Sequence, residues 1–81
     1  MTWNYRVLIK HLPAPDNTVW YAIHEVYYNE AGEPTMCSSE AMEPCGETLE
    51  ELAADLKRMA GALEKPVLDH AIFERKEASA V

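Results

Sequence analysis

Residues 48–63 read Thr-Leu-Glu-Glu-Leu-Ala-Ala-Asp-Leu-Lys-Arg-Met-Ala-Gly-Ala-Leu, and this stretch decides the fold. Thr48 stands three residues before Glu51, the spacing of a capping box, in which the two side chains satisfy backbone N–H groups at a helix start. Pro66 cannot continue a helix and disfavours helical backbone at the residue before it, so the predicted helix ends at Lys65. Apolar residues recur at spacings of three and four, which predicts one continuous buried stripe. They are Leu49, Leu52, Ala53, Leu56, Met59, Ala60 and Leu63.

The region before this helix has the period of β-strands. Residues 3–11 alternate, with Trp3, Tyr5, Val7 and Ile9 on one side, which is typical of a strand with one buried face. Residues 18–28 are dense in aromatic and β-branched side chains and form the second predicted strand. Gly32 can adopt the positive φ of a hairpin turn, and residues 35–40 are a weaker third strand at an edge. The pattern predicts an α+β fold, a three-stranded antiparallel β-meander with one long helix packed on one face.

The chain is expected to form a single domain over residues 1–81. The course of residues 67–81 is left open by the pattern. Asp69 is a possible cap for a short C-terminal helix that would place Ile72 and Phe73 against the body, and residues 76–81 are expected to be frayed.

The charge of the chain is strongly acidic, with 14 acidic and 7 basic residues and a net charge of −7. The basic residues are scattered, so we expect no direct nucleic-acid binding, which depends on clustered Lys and Arg. Such a surface suits a basic protein partner or serves solubility alone. The sequence contains no apolar run of membrane-spanning length and no signal-peptide pattern, so we expect no membrane association and a cytoplasmic location.

His24 and Glu25 are the one pair that resembles a catalytic or metal site. Consecutive side chains of a strand point to opposite faces, so these two cannot act on one substrate atom. Cys37 and Cys45, with the three histidines, lack the spacings that identify zinc sites. We therefore expect no catalytic residue, no metal and no cofactor, and we expect that the protein is not an enzyme.

The second strand is apolar on both faces, whereas one helix covers only one face. The register of the first two strands determines which side chains remain uncovered, and the pattern allows two registers. The uncovered face suits a protein partner or a second copy of the chain, through the sheet face or edge; alternatively, the C-terminal tail with Ile72 and Phe73 covers it. The candidate partner-binding residues are Trp20, Tyr21, Ile23, Val26 and Tyr28.

Residues 21–63 resemble the HicB-like antitoxin domain. The motifs that carry the resemblance are Tyr21-Ala22-Ile23, Glu30-Ala31-Gly32 and Gly46-Glu47-Thr48-Leu49-Glu50-Glu51. Residues 39–44, Ser-Glu-Ala-Met-Glu-Pro, depart from the aromatic-Pro-Asp-x-Pro-Gly stretch of that family, and we expect no DNA-binding domain of the kind that many members append.

The resemblance implies a β-β-β-α unit that binds a small basic RNA-cleaving toxin, HicA, and blocks its surface. The expected function is therefore a small acidic, non-catalytic protein-binding module, with an antitoxin-type inhibitor as its specific form. The alternative is a stand-alone homodimeric domain with a structural or regulatory role.

Overall fold

The computed structural model describes residues 2–74, and the predicted frayed end at residues 76–81 lies outside them. Strands and helices follow one another in the order β1 (Thr2–His11), β2 (Val19–Tyr28), β3 (Pro34–Cys37), α1 (Leu49–Ala60), a 3₁₀ helix (Gly61–Glu64) and β4 (Leu68–Asp69). Residues 71–74 then form a helical turn. The α+β class and the order of three strands before the long helix agree with the prediction.

The three predicted strands pair antiparallel, as expected, but the sheet has four strands in the order β3-β2-β1-β4, so the prediction of a three-stranded sheet is wrong. β4 pairs with β1 in parallel, Leu68 opposite Leu8. The His70 N–H extends this pairing by donating to the Ile9 carbonyl over 3.0 Å. A strand of two residues is too short to show an alternating pattern, which is why the sequence does not reveal it.

The register of β1 and β2 places Arg6 opposite His24 and Val7 opposite Ile23. We call the face that bears the odd-numbered residues of both strands the helix face, because the Tyr5 hydroxyl on it reaches the α1 residue Asp55 (3.5 Å). The opposite, even-numbered face is called the tail face. Of the two registers that the sequence allows, this one puts Tyr21, Ile23 and Tyr27 on the side of the helix.

The predicted start of α1 is confirmed. The Thr48 hydroxyl accepts a hydrogen bond from the Glu51 N–H (3.1 Å), while the Glu51 carboxylate accepts one from the Glu47 N–H (2.9 Å). The α-helix ends at Ala60 rather than Lys65, and the chain continues as a tighter 3₁₀ helix to Glu64. The shorter α-helical segment still stops before Pro66, as the missing N–H of proline requires.

The predicted continuous buried stripe is wrong for most of its members. Met59 is buried and Leu52 is half-buried, whereas Leu49 is 79 % and Leu63 is 71 % exposed. Leu56 is also exposed. β1 contacts the 3₁₀ helix more extensively than it contacts α1, so most of the apolar side chains of α1 do not reach the sheet.

Asp55 is the polar residue that α1 buries. Its carboxylate accepts hydrogen bonds from the Cys45 N–H (3.0 Å), the Arg58 guanidinium (3.2 Å) and the Tyr5 hydroxyl (3.5 Å). The backbone hydrogen bond from Cys45, followed by Arg58, lowers the pKa of Asp55. The carboxylate therefore stays ionised and ties the loop before α1 to β1 and to the helix.

The tail face carries the main apolar core. Leu8 and Val26 pack there against Phe73, and the surrounding half-buried side chains are Tyr28, Cys37, Leu68 and Ile72. The C-terminal residues thus cover this part of the tail face, which was one of the alternatives that the sequence left open. We call residues 68–74 the C-terminal cover.

Candidate protein-interaction surface

The structure separates the five predicted partner-binding residues. Val26 lies in the core with no exposed surface, so it is not available to a partner in this conformation. Ile23 and Tyr28 are half-buried. Trp20 is 63 % and Tyr21 is 58 % exposed, which leaves the beginning of β2 as the exposed part of the predicted surface.

The backbone of β2 is covered on its outer side along only part of its length. The outer side is the side that faces away from β1. β3 pairs with its C-terminal end, the Ser38 N–H donates to the Glu25 carbonyl (2.9 Å), and the Met42 N–H donates to the Ile23 carbonyl (2.8 Å). Within residues 2–74 no segment pairs with residues 19–22 on that side. We call residues 19–22 the open edge.

The orientation of the backbone at the open edge follows from these hydrogen bonds. The carbonyls of Ile23 and Glu25 point away from β1, and backbone groups of a strand alternate in direction with a period of two. Tyr21 and Val19 therefore direct their N–H and C=O groups outward as well. An unpaired edge of this kind is a template for another strand.

The side chains at the open edge are large and apolar. Val19 and Tyr21 project from the helix face, and Trp20 projects from the tail face beside Lys10 on β1. All three are exposed. An added strand would thus find aromatic side chains on both faces next to free backbone groups.

Acidic residues lie close to the open edge. Met42, whose N–H bonds to Ile23, belongs to a segment that carries Glu40 and Glu43, and both glutamates are exposed. Lys10 is the basic residue paired with Trp20. The segment beside the open edge is thus acidic, in keeping with the net charge of −7 of the chain.

The pair His24 and Glu25 is divided between the two faces of the sheet, as the sequence predicts. Glu25 accepts a hydrogen bond from the Tyr27 hydroxyl on the helix face, and this bond raises the pKa of Tyr27. His24 is fully buried on the tail face. The pair therefore does not form a joint acid–base site.

The structure contains two imidazole–carboxylate pairs at the C-terminal cover that the sequence pattern does not predict. His11 Nε2 lies 3.2 Å from Asp69 Oδ2, and His70 Nδ1 lies 3.1 Å from Glu74 Oε1. His11, His70 and Glu74 of these pairs also line a groove of about 260 Å³, whose other lining residues are Lys10, Leu12 and Ala71. His11 and Asp69 are 58 positions apart, so only the parallel pairing of β4 brings them together.

The side chains of residues 2–74 include no group of three or more His, Cys, Asp or Glu residues with the geometry of a metal site. No helix among the same residues is long and apolar enough to span a membrane. Cys37 and Cys45 do not form a disulfide.

Comparisons with models of known families, with curated proteins and with solved structures yield no match to this chain.

Proposed function

We propose that the protein is a small, non-catalytic binding module whose partner is a small basic protein that adds a strand to the open edge. The observation that carries this proposal is the coincidence of exposed Trp20 and Tyr21 with unpaired backbone at residues 19–22. Strand addition uses both features, because main-chain hydrogen bonds provide affinity and alternate side chains provide specificity. Aromatic residues are also the side chains that most often dominate binding energy.

The positive charge of the proposed partner follows from the acidic charge of this chain, because oppositely charged surfaces attract each other. The net charge of −7, with Glu40 and Glu43 next to the open edge, attracts a basic chain and accelerates its association. The resemblance of residues 21–63 to the HicB-like antitoxin domain suggests a specific form of this function, inhibition of a small basic RNA-cleaving toxin. The cytoplasm is the location that we propose for such a pair.

A second copy of the chain is the competing occupant of the open edge. Two copies would each bring a net charge of −7, so their mutual repulsion opposes self-association at low ionic strength. The binding of a basic partner has the opposite salt dependence, because added salt weakens the attraction between the two opposite charges. Ionic strength therefore distinguishes the two occupants.

The first experiment is native mass spectrometry of the untagged protein taken from its source cells at low salt. We expect a complex of the 9.2 kDa chain with one small basic chain, identified by sequencing, that dissociates as salt is raised. If the basic chain cleaves RNA, its activity should fall when the acidic chain is added back. A salt-resistant dimer near twice 9.2 kDa would instead support the homodimeric alternative and contradict the proposal.

The surface itself is tested with Tyr21→Pro and with Trp20→Ser. Proline at position 21 removes the outward N–H without removing a hydrogen bond to β1. We expect each variant to weaken binding of the basic chain at least about tenfold, which corresponds to a loss of about 1.4 kcal/mol or more of binding free energy. The matched control is Trp3→Ser, which removes an exposed tryptophan of β1 that lies away from the open edge. Equal losses for Trp3→Ser and Trp20→Ser would exclude the open edge as the binding surface.

A further inference from the structure

His24 is a fully buried histidine whose second ring nitrogen has no hydrogen-bond partner among the described residues 2–74. Its Nδ1 lies 3.0 Å from the Ser38 carbonyl oxygen, which only accepts hydrogen bonds, and 3.2 Å from the Ser38 hydroxyl, which donates its own hydrogen to the Glu40 carbonyl. Nδ1 therefore carries the proton. Nε2 then holds a bare lone pair and, among residues 2–74, is buried without a partner. The surrounding part of residues 2–74 thus accommodates a neutral imidazole and offers no hydrogen-bond acceptor for a proton on Nε2.

The charged neighbours of His24 make a second proton more unfavourable. Arg6 is its direct partner on β1, and Lys10 and His70 both act against a positive charge on the ring. The carboxylate of Glu74 is already hydrogen-bonded to His70. The titratable or charged groups of the packed elements on the tail face are Arg6 and Lys10 from β1, Cys37 from β3, and His70 and Glu74 from the C-terminal cover.

The contact of His24 with the C-terminal cover is direct. The ring of His70 lies 6.0 Å from the ring of His24, measured between centroids, and 6.4 Å from the ring of Phe73. Phe73 in turn closes the core over Leu8 and Val26. A charge that forces His70 away from His24 therefore also loosens the residue that covers the tail face.

We propose that His24 is a proton-operated latch: protonation of its imidazole below neutral pH releases residues 68–74 from the tail face and exposes Leu8, Val26 and Tyr28. The β1–β2–β3 sheet and α1 stay folded when these residues are released. The contacts of α1, which are the Tyr5–Asp55 hydrogen bond and the burial of Met59, lie on the side of the helix face and do not involve residues 68–74. The latch does not depend on the nature of the partner at the open edge.

The sign of the pH dependence follows from the two environments of His24. In the closed form, with residues 68–74 packed on the tail face, burial lowers the pKa of His24 below the ordinary value of 6.5. In the open form, with these residues released, the ring meets water and its pKa returns to that value. The open form therefore binds more protons. The closed form is fully favoured above pH 6.5 and loses this advantage as the pH falls, by up to about tenfold per pH unit for one proton.

The two cysteines provide a measurement of opening in the wild-type chain. Cys37 is half-buried against the core under the C-terminal cover, while Cys45 is exposed. The reaction rates of both thiols with 4,4′-dithiodipyridine, a disulfide reagent that remains reactive in acid, are measured site by site with mass spectrometry between pH 7.5 and 5. The ratio of the two rates cancels the intrinsic pH dependence of thiol chemistry.

We expect the Cys37 to Cys45 ratio to be constant above pH 7 and to rise severalfold below pH 6.5, while the far-UV circular dichroism stays unchanged. In His24→Asn, which keeps a donor for the Ser38 carbonyl and cannot be protonated, the ratio should stay constant. The control Glu30→Gln alters an exposed titratable residue in the turn between β2 and β3, outside the C-terminal cover, and should keep the wild-type rise. A flat wild-type ratio, or a rise that persists in His24→Asn, would overturn the latch.

Two measurements on the wild-type chain, nitrogen-15 chemical shifts and circular dichroism, still test the latch if His24→Asn does not fold. Nitrogen-15 shifts of the wild-type imidazoles should show His24 neutral, with its proton on Nδ1, until the pH at which the ratio rises, and charged thereafter. If His24 remains neutral while Cys37 becomes reactive, the latch is wrong. It is equally wrong if the circular dichroism is lost at the same pH, because the whole fold would then be opening.

Discussion

At the scale of single residues, the loop before α1 depends on a glycine. A Cβ atom built on Gly46 would lie 2.6 Å from the Leu52 backbone nitrogen and 2.6 Å from the Glu51 Cβ. Gly46 thus permits the chain to pass close to the first turn of the helix. Gly61, in contrast, has helical backbone (φ −59°) and open space around its missing side chain.

These two glycines form a matched pair of substitutions. We expect Gly46→Ala to lower the free energy of unfolding by about 1–3 kcal/mol, because backbone must shift to admit the methyl group. Gly61→Ala should be neutral or raise it by up to about 1 kcal/mol, since alanine restricts the unfolded chain without strain. Urea denaturation of both variants measures the difference, and equal effects would show that the close approach at Gly46 has no energetic consequence.

The capping motif predicts the hydrogen bonds at the start of α1 but not the requirement for glycine at position 46. The spacing of Thr48 and Glu51 predicts the capping hydrogen bond, and the structure confirms it, because capping is a local interaction within one turn. The need for glycine at position 46 depends on how the preceding loop approaches the helix. No pattern of apolar and polar residues encodes that distance.

At the scale of elements, α1 is amphipathic in sequence but is covered mainly at one end. Met59 is buried beside the 3₁₀ helix, whereas Leu49 and Leu63 remain largely exposed. The helical period shows that a helix has an apolar side, but it does not show how much of the length another element covers. The two-residue strand β4 illustrates the same limit, because its existence depends entirely on β1.

We expect the apolar residues of the helical region to differ sharply in their contributions to stability. Met59→Ala should lower the free energy of unfolding by about 2–5 kcal/mol, as is usual for truncation of a buried methionine. Leu63→Ala, the control, should change it by no more than about 0.5 kcal/mol. Thermal and urea unfolding provide the comparison, and a large loss for Leu63→Ala would mean that another surface covers the exposed side of the helical region.

At the scale of the whole molecule, Arg6 connects parts of the chain that are far apart in sequence. Its guanidinium donates to the Tyr28 hydroxyl (2.9 Å) and to the Pro66 carbonyl (2.6 Å), and Tyr28 donates to Asn4 (2.7 Å). One side chain thus links β1, β2 and the segment that leads into β4. This fork of donors is specific to arginine.

Replacement by lysine tests this linkage because lysine keeps the charge and loses the fork. We expect Arg6→Lys to lower the free energy of unfolding by about 1–3 kcal/mol, the cost of leaving a polar partner without its hydrogen bond. Amide hydrogen exchange should accelerate at His70, whose N–H bonds to Ile9. Lys10→Arg, on the same face of β1, should leave the exchange unchanged; a uniform acceleration over all strands would argue against a local role for Arg6.

The sequence by itself determines the long helix and its cap, the first three strands, the turn at Gly32, the α+β class, and the placement of His24 and Glu25 on opposite faces. All of these follow from local chemistry or from the periods of 2 and 3.6 residues, which are properties of one segment at a time. The acidic charge, too, is a property of composition alone.

Only the tertiary structure decides the register of β1 and β2, the fourth strand, the burial of Val26 under Phe73, and the exposure of residues 19–22. Two registers of an apolar strand are equivalent in sequence pattern, and the choice depends on what each face meets elsewhere in the chain. The contact of His24 with His70 joins residues 46 positions apart. Such contacts arise from the free energy of the assembled core, which no single segment contains.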